Sequence, residues 1–224
     1  MATFKLSIAR MQNCPPLAEL DAAMGEFGLP EGEEFGVLSH STTGQAAFAT
    51  LVRKTQAAVP RVDPETHEVT AAAVEKATVY PLAFHPAREV VEIHAGAASA
   101  IEQVGAFLGS CLALPTVVEP IEIDVASAVD KLRENVRRFV LRGVRVSEYA
   151  HNSYMSGPYA PKFLDSEHGR DFLAEYAEFV RAASVRFQTQ TGRANVGLAP
   201  TARFSYSCNE DDQAEVQDVL RRLV

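Results

Sequence analysis

The stretch "KATVYPLAFHPAREVVEIHAGAASAIEQVGAFLGSCLAL", residues 76–114, decides the fold class. Its first ten residues alternate, with Tyr80, Leu82 and Phe84 on one face, as a half-buried strand requires. "PAR" makes a turn and "EVVEIHAG" returns, so the two segments predict an antiparallel hairpin. Pro81 cannot donate to a ladder, which places the first strand at an edge or a bulge. After Gly96 the period changes. Ile101, Val104, Phe107, Leu108 and Cys111 recur at spacings of three and four, the stripe of an amphipathic helix.

The C-terminal end repeats this plan. "ASVRFQTQ", "ANVGLAP" and "TARFSYSC" read as strands, with "TGR" turning between the first two. "NEDDQAEVQDVLRRLV" reads as a helix. Asn209 is its predicted N-cap, Glu210, Asp211 and Asp212 suit its first turn, and Arg221 and Arg222 suit its last. Between the two ends, "TVVEPIEIDV" predicts a strand. Residues 126–139 predict a helix that buries Ala128, Val129, Leu132, Val136 and Phe139. "VLRGVRVSEYA" predicts another strand, and "GRDFLAEYAEFVRAA" a last helix carrying Phe172, Leu173, Tyr176 and Phe179.

Working back toward the N-terminus, "AAVPRVDPETHEVT" reads as a polar connection or a weak subdomain boundary. "FGVLSHS" and "QAAFATLVRKT" form a hairpin across "TTG". Leu17, Leu20, Met24 and Phe27 give a short helix between Pro15-Pro16 and Gly28-Pro30, and "TFKLSIA" gives a strand. The fold class is therefore α+β: a largely antiparallel sheet with helices packed on one face, built as two similar strand-strand-helix units. The corresponding division is an N-terminal helix and hairpin region to residue 60, a first unit over 61–125 and a second over 126–224, or one domain throughout.

Composition narrows the function. The chain has 224 residues, 47% hydrophobic and 22% charged, enough to bury a core unaided. A net charge of −8 argues against a generally basic nucleic-acid coat and leaves room for a local positive patch. Cys14, Cys111 and Cys208 are scattered and odd in number, which predicts reduced thiols and a cytoplasmic setting. No C-x-x-C pair suggests zinc. No apolar window approaches a membrane span, and the N-terminus lacks the pattern of a secretory signal.

Phosphate-cradling and dinucleotide glycine motifs are missing, as are H-E-x-x-H and G-x-S-x-G, so no cofactor, metal or catalytic set is assigned. His40 and His67 read as solvated. His85 and His94 fall at opposite ends of the predicted hairpin, which argues against a shared metal site. Glu122 and Asp124 would share a strand face, where solvation is the favoured reading over cation binding.

Basic charge is concentrated between Lys131 and Arg145. Lys131, Arg133, Arg137, Arg138, Arg142 and Arg145 give this window a net charge of +5 against Glu134. It predicts a basic stripe, largely helical, that contacts phosphates or an acidic partner; pairing with the chain's own carboxylates is the alternative. Directly after it comes "EYAHNSYMSGPYAPKF", residues 148–163, with Tyr149, His151, Tyr154, Tyr159 and Lys162. The tyrosines either anchor a partner or cover a sheet edge. Together these features predict a non-enzymatic binding or assembly protein, whose partner is a protein, a further copy or a nucleic acid. A hydrolase or nuclease using Tyr149, His151 and His168 with Asp165 or Glu122, and a structural subunit of a larger complex, are the alternatives.

Overall fold

A computed structural model describes residues 2–62, 64–96, 99–152, 155–164 and 166–224, with backbone alone for His151, Asn152 and Ser166. Five helices and eleven strands occur among the described residues, and the paired strands run antiparallel, so the chain is mixed α+β. It divides into two units, Met11–Glu119 and Met1–Arg10 with Pro120–Val224. The first division falls inside strand β1 (Ala2–Gln12), after Arg10.

In the unit Met11–Glu119, α1 (Leu17–Phe27) buries Leu20 and Met24 and stops at Gly28, whose φ of 57° suits a residue without a side chain. Strands β2 (Phe35–Thr42), β3 (Ala47–Val62), β4 (Val69–His85) and β5 (Val90–Ile93) follow in that spatial order. Helix α2 (Ala100–Ala106) continues as one wider π turn over Phe107–Cys111, and β6 (Val117–Pro120) comes next. The core gathers Leu51, Phe84, Ile93, Phe107 and Leu108, with Phe27 edge-on to Phe107 at 5.5 Å.

Two expectations change here. "AAVPRVDPETHEVT" is not a long polar connection: β3 and β4 pair without a break from Ala47↔Phe84 out to Val62↔Val69. Pro60 is tolerated because even-numbered residues of β3 face β2, as Lys54 does in donating to Glu34 at 2.7 Å, and β2 ends short of it. Its missing donor costs no ladder bond. Pro81 lies inside β4, and its carbonyl accepts from His94 at 2.9 Å, so its nitrogen points to the side where β5 stops.

The other unit contains the first nine residues of β1, α3 (Val125–Asn135), β7 (Arg137–Asn152), β8 (Met155–Tyr159), α4 (Ser166–Glu175), β9 (Val180–Gln188), β10 (Arg193–Ala199), β11 (Arg203–Cys208) and α5 (Gln213–Arg221). Its strand order is β1-β11-β10-β9-β7-β8. Alternate residues of β9 to β11 are buried: Val185 and Phe187, Val196 and Leu198, Phe204 and Tyr206. Each helix-led half of the chain thus runs helix, four antiparallel strands, helix, with β8 and α4 as an insertion in the later one.

Helix α3 ends at Asn135, short of the expected residue 139. Val136 is already extended, and Arg138 takes φ 48° within a bulge between Arg137 and Val140. "TVVEPIEIDV" is strand only through Pro120, and Asp124 caps α3 by accepting from the Ser127 amide at 2.6 Å. The expected helix over residues 169–183 stops at Glu175, and Val180 onward joins the sheet as β9.

Candidate functional site

On β1, β11, β10 and β9 the residues opposite the apolar positions form cross-strand rows. One row is Thr3–Ser207–Asn195–Arg186, and the next is Lys5–Ser205–Gly197–Ser184. Ser7–Arg203–Ala199 follows. Every charged side chain in these rows is basic, although the chain as a whole carries −8. A shallow trough of about 360 Å³ lies over part of the first two rows, lined among others by Thr3, Ser184, Asn195, Gly197 and Ser205; Arg142 is the cation among its described lining residues, and Lys5, Arg186 and Arg203 stand on the surrounding face. Its floor is low because the residues are small. A Cβ on Gly197 would stand 2.6 Å from the Ser205 hydroxyl, so glycine holds the centre of the trough open.

Lys5, Arg142, Arg186, Arg193 and Arg203 make no ion pair with a described carboxylate. Arg203 is oriented by donating Nε to the Thr201 hydroxyl at 2.9 Å. Uncompensated guanidinium and ammonium groups over hydroxyls and an amide form a surface for anions. Arg142 reaches this face because β7 bulges between Leu141 and Gly143, where a residue is left over on one strand. Gly143 permits the arrangement, since its Cβ would lie 2.9 Å from the Pro161 carbonyl.

The predicted basic stripe is dispersed. Lys131 and Arg133 lie on α3, where Arg133 pairs with Asp130 at 3.2 Å. Arg137, Arg138, Arg142 and Arg145 belong to β7, so the stripe is not one helical face. Of the six, Arg142 joins the trough. Pairing with the chain's own carboxylates accounts for Arg133 alone among them.

Tyr149 and Tyr159 meet each other at 4.5 Å between ring centres. Tyr149 also packs on Tyr176 at 5.3 Å, and Phe172 stacks on Tyr176 at 4.7 Å and meets Phe163 at 5.7 Å. These rings fasten β8 and α4 to β7, the edge-covering role of an aromatic cluster. Lys162 is exposed and bridges to Gly143 through its backbone. Ser153, Tyr154 and Asp165 lie outside the described residues, as does the His151 side chain. His168 is exposed on α4, and Glu122 is exposed ahead of α3. The grouping of Tyr149, His151 and His168 turns on the His151 side chain and so lies outside the described residues.

His85 and His94 are closer in function than their predicted separation. The pairing Ala83↔Glu92 sets Glu92 between them on one face. Its buried carboxylate stands 3.1 Å from His85 Nε2, off the direction of a hydrogen bond, and 3.9 Å from His94 Nε2. No group of three side chains with metal-binding geometry occurs among the described residues. His40 is exposed near the end of β2, with Nδ1 3.1 Å from Asp21. Burial pushes all three thiols up, with Glu89 adding to the effect at Cys14, Glu33 and Glu34 at Cys111, and Asp212 at Cys208, so none is an activated nucleophile.

Sequence reasoning overlooked Lys5, Arg186, Arg193 and Arg203. Their signal is present: in "VRFQ", "RANVG" and "RFSYS" the residues between apolar positions are basic, small or amide-bearing, and never acidic. No helix among the described residues is long and apolar enough to cross a membrane. No protein-family model matches the chain, and no curated protein matches it in sequence.

Proposed function

We propose that this is a non-enzymatic binding protein that holds a nucleic acid on the basic trough of β1, β11, β10 and β9. The supporting observation is an acid-free, unpaired cationic face on a protein of net charge −8. Such a distribution is selective, because a chain that merely needed solubility would show acids there too. The reading takes the helices to lie together on the apolar side, supported by contacts of α3 with β9, α4 with β7 and α5 with β11. Tyr206, the aromatic residue among the described lining, is buried and stacked on Phe4 and so is not free to stack on bases; phosphate contacts would dominate and sequence would count for little.

Fluorescence anisotropy with labelled DNA and RNA, single- and double-stranded, tests this. Binding should weaken as salt rises, with a log–log slope of about −2.7 if three cations meet phosphates of duplex DNA. Replacing Lys5 and Arg186 together by Glu should weaken binding at least about tenfold. Replacing Lys131 and Arg133 by Glu should change it little. Equal loss in both double variants, or no binding to any of the four probes, would sink the proposal.

A further inference from the structure

The hairpin of β3 and β4 runs on beyond its neighbours. β2 pairs with β3 only from Ala47 to Arg53, and β5 pairs with β4 only from Leu82 to His85. Residues 54–62 and 69–77 therefore form a two-stranded arm, about 30 Å long at the usual rise of a strand. Both its faces are in solvent and carry apolar side chains: Val59 is 45% exposed, Val62 58%, Val69 69% and Val74 47%. A two-stranded ribbon is marginally stable alone, and an apolar one invites cover.

The two edges of the arm differ. On β3 the free edge is blocked by Pro60, which offers no donor. On β4 it is open. Odd-numbered residues of β4 turn their amides and carbonyls away from β3, as the bond from His94 to Pro81 establishes. Val69, Ala71, Ala73, Glu75 and Ala77 thus present a regular row of backbone groups, with no proline and no bulge from Val69 to Tyr80. Opposite this row, among the described residues, no strand pairs.

We infer that β4 pairs antiparallel with β4 of a second copy of this chain, about a two-fold axis through Ala72. Only a register that sets odd residues against odd ones satisfies the outward-facing groups. Centring it on Ala72 places Val69 against Glu75, Ala71 against Ala73 and Thr70 against Val74 of the other copy. It also places Glu68 against Lys76 twice, once on each side of the axis. Both charges are exposed, and neither makes an ion pair among the described residues. The small side chains Ala71, Ala72 and Ala73 let the two arms meet without steric conflict. The inference is independent of the nucleic-acid reading.

Ala72 faces itself in a non-hydrogen-bonded pair, the cross-strand position whose short Cα separation suits a disulfide. In a Cys14→Ser, Cys111→Ser background, Ala72→Cys should crosslink to a covalent dimer on mild oxidation. Ala73→Cys should not, because its own counterpart is offset along the strand. Sedimentation should show a concentration-dependent dimer for the unaltered chain. Ala73→Pro should abolish it while leaving circular dichroism and melting nearly unchanged, since that amide does not serve β3. Glu68→Lys should weaken the dimer about tenfold by setting like charges opposite, and adding Lys76→Glu should restore it. A strict monomer, or a dimer that survives Ala73→Pro without the Ala72→Cys crosslink, overturns the inference.

Discussion

Asp212 is a buried acid held by three hydrogen bonds. It is 1% exposed and accepts from the hydroxyls of Thr189 at 2.7 Å and Thr191 at 2.9 Å and from the Thr191 amide at 3.0 Å. The Thr189 bond is the strongest cause holding its carboxyl below the usual range; burial opposes it, and the two Thr191 bonds add to it. Because the folded value is depressed, the stabilisation is present above the unfolded carboxyl pKa of about 3.9 and is lost as pH falls through the folded value. Asp212→Asn should therefore melt lower than the parent at neutral pH, with the gap closing on acidification. Melting curves of both proteins between neutral and strongly acidic pH check this. Gly143 offers a second test at this scale: Gly143→Ala should cost about 1–3 kcal/mol in urea unfolding, because the obstacle it meets is backbone and cannot rotate away.

Elements show how far sequence pattern reaches. The stripe Ala128, Val129 and Leu132 identified α3, and Leu132 is fully buried. Leu132→Ala should cost about 2–5 kcal/mol, measured by denaturant unfolding. The far end of α3 was misread because Val136 and Phe139 extend the helical period while "RRFVL" also fits a strand, and tertiary pairing with β9 decides between them. The same ambiguity hid the start of β9, where Phe179 continues the helical spacing of Phe172 and Tyr176. Pairing partners are non-local and leave no trace in a window of a dozen residues. For that reason a sequence window does not reveal the basic face: its rows combine residues separated by up to about 200 positions, whereas the cluster Lys131–Arg145 is contiguous. In the tyrosine loop the described rings Tyr149 and Tyr159 pack on each other. Phe172→Ala, which removes the ring shared by Tyr149, Phe163 and Tyr176, should lower stability by about 2 kcal/mol and release β8 to faster amide exchange.

At the scale of the molecule, net charge and local charge point in opposite directions. A protein at −8 should pass a cation exchanger at neutral pH, yet one with a segregated basic face should be retained on heparin in low salt. The Lys5→Glu, Arg186→Glu protein should elute markedly earlier, and a gradient elution reads the difference directly.

Strand β1 supplies Lys5 to that face, opposite Ser205 on β11. A ribosome adding about 5–20 residues per second would need roughly 10–40 s to traverse the interval between them. Until β11 is made, residues Ala2–Ser7 of β1 lack the neighbour they pair with on that edge. Among the described strands of this unit β11 is the last in chain order, so its pairing with β1 cannot form before Cys208 has been added. A nascent chain stalled before β11 would leave that edge of β1 unpaired, a natural point of capture for chaperones.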